Sequence, residues 1–178
     1  MSASVDVLRL PIPKESGVET APAKIPAVLL LQVLATVFMT GVIWYVQLVH
    51  YPLMAGWPHG DFPRWEAAHR EQTGLVVVPA MLAEGLAVVV ILAWRPVGVP
   101  ARLAWSGAAL LLAIWASTFA IQVPLHEQLS SAWDDAAHAR LVQSNWLRTA
   151  LWSARVGVAI AMLHGWAAAE KLALPRPA

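Results

Sequence analysis

The chain has 178 residues, 58% of them hydrophobic and 13% charged, with a formal net charge of +1 and no cysteine. A soluble domain of this length carries more charge. No basic cluster marks a nucleic-acid partner, and the lack of cysteine excludes disulfides, thiolate metal sites, iron–sulfur clusters and cysteine nucleophiles. Four apolar runs remain, each about 20 residues long, the length that spans the ~30 Å core of a bilayer.

Residues 1–24 are polar and rich in Pro, Lys and Glu. They contain no short apolar core followed by a small-residue cleavage site, so they read as a disordered tail and not as a removable signal. A first span is expected from Ile25 to His50, broken by Pro52, Gly56, Pro58, Gly60 and Pro63. Asp61 is placed to cap a short helix, with Pro63 in its first turn, that carries Trp65, Glu66, His69 and Glu71. A second span runs from Leu75 to Trp94, and Arg95 to Arg102 form a tight basic turn. The third span, from Leu103 to Val123, is expected to stop at Pro124, which has no backbone N–H to donate. A polar stretch from Leu125 to Gln143 leads to a fourth span from Trp146 to Ala169, and residues 171–178 form a C-terminal tail.

The expected fold is all-α: one membrane domain over residues 25–170, a four-helix transmembrane bundle. Lys and Arg set its orientation. Arg9, Lys14, Lys24, Arg95, Arg102, Lys171 and Arg176 lie on one side, against Arg64, Arg70, Arg140 and Arg148 on the other. That excess puts both termini in the cytoplasm, in a bacterial inner (plasma) membrane. The two halves also resemble each other. Gln47, Pro52-Leu53, Glu66-Ala-Ala-His69 and Glu84 are echoed by Gln122, Pro124-Leu125, Asp135-Ala-Ala-His138 and Arg155. Read as repeats, they are two parallel helical hairpins.

Polar residues inside the spans mark the candidate site. Glu84 and Arg155 each sit eight to ten residues inside the same boundary. At ~1.5 Å per residue both lie roughly 12–15 Å deep, and pairing relieves the cost of isolated charges there. The pair either fixes helix register or lines a path. Asn145, Arg148, Trp152 and Arg155 step by three, four and three and share one helix face. Thr36, Thr40, Trp44, Gln47 and Tyr51 do so on the first span, and Trp115, Thr118 and Gln122 on the third. Inward-facing stripes of this kind build a polar interior in the outer half of the bundle. His50 and His126 end two of these stripes near the outer interface. The two acid-x-x-His pairs match the spacing of di-iron carboxylate bundles, which need further carboxylates from other helices. Hydrogen-bonding histidines at the interface are the better reading, so no metal is assigned.

These residues carry a resemblance. The chain resembles a widespread group of small bacterial four-span membrane proteins without assigned function, and more distantly the anthrone-oxygenase-like family. The shared pattern is Val123-Pro124-Leu125, a polar stretch, then Asn145-x-x-Arg148-Thr149 opening the last span. It departs at His126, where the family often has Asn, and at Trp146, where it often has His. The resemblance implies a reaction on polycyclic aromatic anthrones without a defined cofactor motif; no cofactor is assigned here.

Two functions are expected. In the first, a pocket lined by Gln47, Glu84, Gln122, Asn145 and Arg155 binds a small, largely apolar molecule. His50 or His126 then shuttles a proton and Arg148 stabilises an enolate or phenolate oxygen, in oxygenase-like chemistry. In the second, the protein is a non-enzymatic accessory or small-transport subunit and the charges set packing. The bilayer is the partner common to both.

Overall fold

The computed structural model describes residues 26–173, and among these every regular element is helical. The expected tail over 1–24 lies outside them. Four long helices follow one another: α1 (Ala27–Met54), α2 (His59–Ala93), α3 (Ala101–Ser131) and α4 (Asp135–Ala173). The first three are long and apolar enough to cross a membrane. Between 22% and 33% of each apolar window is buried inside the protein, so most of that apolar surface faces outward. Leu75, Leu82, Val89 and Leu112 are all more than 60% exposed.

The helices run further than the proline positions suggest. α1 passes through Pro52 and α3 through Pro124, each by way of a π-helical turn, Val46–His50 and Thr118–Gln122. A proline cannot donate to the carbonyl four residues back, and its ring clashes with it. Widening the preceding turn accommodates both effects. The expected stop at Pro124 and break at Pro52 are therefore corrected. So is the separate helix after Asp61: Asp61 makes no side-chain cap, and α2 continues from the 3-10 turn His59–Asp61 to Ala93. The polar stretch 125–143 is helical except around residues 132–134. Asp134 Oδ1 accepts the backbone N–H groups of Ala136 and Ala137 and opens α4 there.

The interior is layered along the helices. Tyr51, Met54, Phe62, Leu129 and Leu141 pack at the end that holds the α1–α2 and α3–α4 connections. Met39, Ile43, Met81, Ile114 and Trp152 form a middle layer. Leu29, Ile91, Ala104, Met162 and Trp166 close the other end. There the connection between α2 and α3 turns at Gly98, whose φ of 79° suits glycine. A Cβ on Gly98 would stand 2.4 Å from the Gly165 carbonyl oxygen, so the loop rests directly on the α4 backbone.

Two polar layers separate the three apolar ones. On α4 the buried residues Leu141, Asn145, Arg148, Trp152, Arg155, Ala159, Met162 and Trp166 alternate steps of four and three, one continuous seam. Its polar members make α4 less apolar than its neighbours, although at 39 residues it is the longest helix.

Candidate functional site

The lower polar layer, between the middle and far apolar layers, centres on Glu84 and Arg155. Arg155 Nε lies 3.1 Å from Glu84 Oε1, and both side chains are fully buried. Glu84 Oε1 also accepts Thr36 Oγ1 at 2.9 Å, and Oε2 accepts Trp152 Nε1 at 3.1 Å. Arg155 Nη1 donates to the Gly107 carbonyl oxygen. Each carboxylate oxygen is occupied, Arg155 Nη2 has no partner among the described residues, and neither residue lines the cavity or the groove beside the upper layer.

The upper polar layer is different. Gln47 Oε1 accepts Asn145 Nδ2 at 2.9 Å, and Gln47 Nε2 donates to the Val142 carbonyl. Asn145 Oδ1 accepts Arg148 Nη1 at 3.1 Å. Arg148 lies over the Trp152 ring, 5.2 Å from its centroid, where the π face attracts a cation. Arg148 is only 7% exposed, its Nε has no partner, and no carboxylate pairs with it among the described residues.

Beside it stands a chain of three ionisable groups from three helices. Glu66 Oε1 meets His126 Nδ1, and His126 Nε2 lies 2.9 Å from the Tyr51 hydroxyl. With the hydrogen on Nδ1, His126 donates to Glu66 and its Nε2 accepts from the Tyr51 O–H. The order carboxylate–imidazole–hydroxyl is that of a hydrolase triad, with a phenol as the outer group. A second pair adjoins it. His50 Nε2 is 2.9 Å from His69 Nδ1, which also lies 3.0 Å from Thr73 Oγ1. The His69 and His126 rings are 5.3 Å apart.

A cavity of about 250 Å³ opens against this layer. Its polar end is lined by Tyr51, His69, Gln122, His126 and Arg148, and its walls by Met39, Ile43, Met81 and other apolar side chains. Both π turns lie at this level, carrying Gln47, His50 and Gln122. Along α3, burial steps five residues from Ser117 to Gln122 across the π turn, which re-aims the following turn and its His126 toward the layer. Single π turns in long helices recur at functional sites.

Of the residues singled out in the sequence, Gln122, His126 and Arg148 line the cavity, and His50 lines an adjoining groove. Gln47 and Asn145 stand one contact behind Arg148, holding its amide partner. Glu84 and Arg155 sit in the other layer. Tyr51 and Glu66 belong to the site and were not assigned to it. Their signal was the polar stripe on α1 for Tyr51, and for Glu66 a carboxylate on a helix that buries it completely. The acid-x-x-His pairs do not act alike. Asp135 accepts Trp133 Nε1, and His138 Nε2 donates to the Tyr51 carbonyl, one of the last free carbonyls of α1. No group of three or more His, Asp and Glu among the described residues is arranged to hold a metal ion. No family model matches the chain, and neither does any curated protein or solved structure.

Proposed function

We infer that the protein is a multi-pass four-helix bundle of the bacterial inner membrane, both termini cytoplasmic, and that its upper polar layer binds a small, largely apolar ring compound with an acidic hydroxyl. Arg148 carries this reading. A buried guanidinium without a carboxylate, at the polar end of an apolar cavity, is costly unless a ligand supplies the negative charge. A phenol or enol does so by losing its proton, and the rest of its surface suits the apolar walls. The matching π turns and the echo between the halves fit two hairpin repeats. The distant likeness to the anthrone-oxygenase-like family points to the same ligand chemistry.

The chain Tyr51–His126–Glu66 supplies the base. The ligand hydroxyl gives its proton to the Tyr51 oxygen as the Tyr51 proton passes to His126 Nε2. His126 becomes an imidazolium held by Glu66, and the ligand becomes an oxyanion beside Arg148. The proton count balances without a further reactant. The reading covers formation of the oxyanion, the step common to oxygenase-like and isomerising reactions of enols.

The test compares naphthalene with 1-naphthol on protein in lipid nanodiscs. 1-Naphthol binds more tightly, and its absorption shifts to that of naphtholate below the pH at which the free compound ionises. Arg148→Met lowers its affinity about 10–100-fold, the worth of a hydrogen bond to a charged group, and leaves naphthalene unchanged. Equal binding of both compounds to wild type, with no naphtholate band, overturns the reading. Loss of fold in Arg148→Met returns this charge to a packing role.

A further inference from the structure

A second, larger depression adjoins the cavity. It is a groove of about 660 Å³ between α1 and α2, open on its outer side. Groove and cavity share Val42, Val46, His69, Thr73 and Val77, so they are two sides of one wall. The groove is polar at one end only, where His50, His69, Gln72 and Thr73 lie. From there it runs down α1 past Tyr45 and Gly41 to Phe38 and Val37. The thirteen residue steps from Val37 to His50 rise roughly 20 Å, more than half the ~30 Å thickness of a bilayer core. Gly41 sits in its floor, and a Cβ there would meet nothing within 4 Å.

The sizes complement each other. A whole small-molecule site measures about 300–1,000 Å³. The inner cavity, at about 250 Å³, falls below that range, and cavity and groove together fall within it. An occupant that places its hydroxylated ring beside Arg148 has its remainder outside, and the adjoining space is apolar and directed along the bilayer normal. We propose that the ligand is a tailed amphiphile, a hydroxylated ring bearing a hydrocarbon chain, with its ring in the inner cavity and its chain in the groove between α1 and α2. The ring enters sideways from the membrane past His69 and Thr73. This rests on the reading of the inner cavity given above and adds the class of its ligand.

Lipid tails are as apolar as the groove, so the chain gains little free energy by leaving the bilayer. The discriminating quantity is therefore steric. Gly41→Leu plugs the groove floor in open space and replaces glycine by a better helix former, so the fold is retained. Gly41→Ala adds one carbon and serves as the control. Binding of 1-naphthol and of a 4-dodecyl-1-naphthol is measured in the same nanodiscs for wild type and both variants. Gly41→Leu lowers affinity for the tailed compound by at least about tenfold, the scale of an overpacking clash, with 1-naphthol and Gly41→Ala at wild-type values. If both compounds bind wild type and Gly41→Leu changes neither, or weakens both equally, the chain does not lie in the groove. This inference then falls while the ring site stands. If neither compound binds wild type, both fall together.

Discussion

The two polar layers hold the same kind of charge in opposite circumstances. Arg155 is bound to a carboxylate whose oxygens are both taken up by protein donors, away from the cavity and groove of the upper layer. Arg148, seven residues earlier on the same seam of α4, has an amide oxygen and an indole face but no anion, and it borders a cavity. A buried cation neutralised by a carboxylate of the protein fixes register between helices. A cation without an anion leaves an interaction to be completed by something else. The lower layer thus reads as a clamp and the upper as a site.

The largest effect expected is in the clamp. Arg155→Met strands Glu84 in a fully buried position and should cost about 3–5 kcal/mol of stability, the usual penalty for breaking a buried pair from one side. Glu84→Gln combined with Arg155→Met should recover part of that loss, because no charge is then left unpaired. Thermal unfolding in a mild detergent measures both. Additive losses in the double variant would show that the two residues do not act as a pair.

Arg148→Met should behave in the opposite way. It removes a buried cation with no counter-charge, so stability should stay within about 1 kcal/mol of wild type or rise, while naphthol binding drops. If this variant proves as unstable as Arg155→Met, the contrast between the layers is lost.

The reach of the sequence differs between the layers for a physical reason. Depth alone joins Glu84 to Arg155: each lies a countable number of residues from an expected boundary, and the fixed rise of a helix keeps that count. The seam from Asn145 to Arg155 is also local, because three–four spacing needs only one helix. Glu66 and His126 meet across sixty residues, and their meeting depends on two features that hydropathy does not carry. One is that α2 and α3 continue as helices past the expected boundaries. The other is the π turn before Pro124, which shifts the register of everything after it. Ending the spans near Pro52 and Pro124 placed Glu66 on a separate short helix and His126 in a polar stretch, and hid the triad. The acid-x-x-His spacing of Asp135 and His138 does fall within one helix, but their partners come from the connection before α4 and from the end of α1.

Tyr51→Phe probes the upper layer more finely. It removes one hydroxyl from the hydrogen bond to His126 and should cost about 1 kcal/mol. Bound 1-naphthol should persist, because Arg148 remains, but its naphtholate band should be lost at neutral pH. Retention of that band would show that the proton leaves by another route.

The smallest effect concerns the connection above the site. Asp134 caps α4, and the backbone N–H of Ala137, with help from that of Ala136 and from Gln128, holds its carboxyl below the usual carboxylate range. A folded value lower than the unfolded one means that its contribution is complete above the ordinary carboxylate range. That contribution disappears as pH falls through the lowered folded value. Asp134 is solvent-accessible, so the contribution is small, and Asp134→Ala should lower stability slightly at neutral pH and flatten its fall in acid. Hydrogen exchange gives the spatial test. Acidification should speed exchange in the first turn of α4, near Ala136 and Ala137, before it does so around Arg155, because the clamp has no part in this cap. Simultaneous loosening of both regions would mean that the connection and the lower layer unfold as one unit.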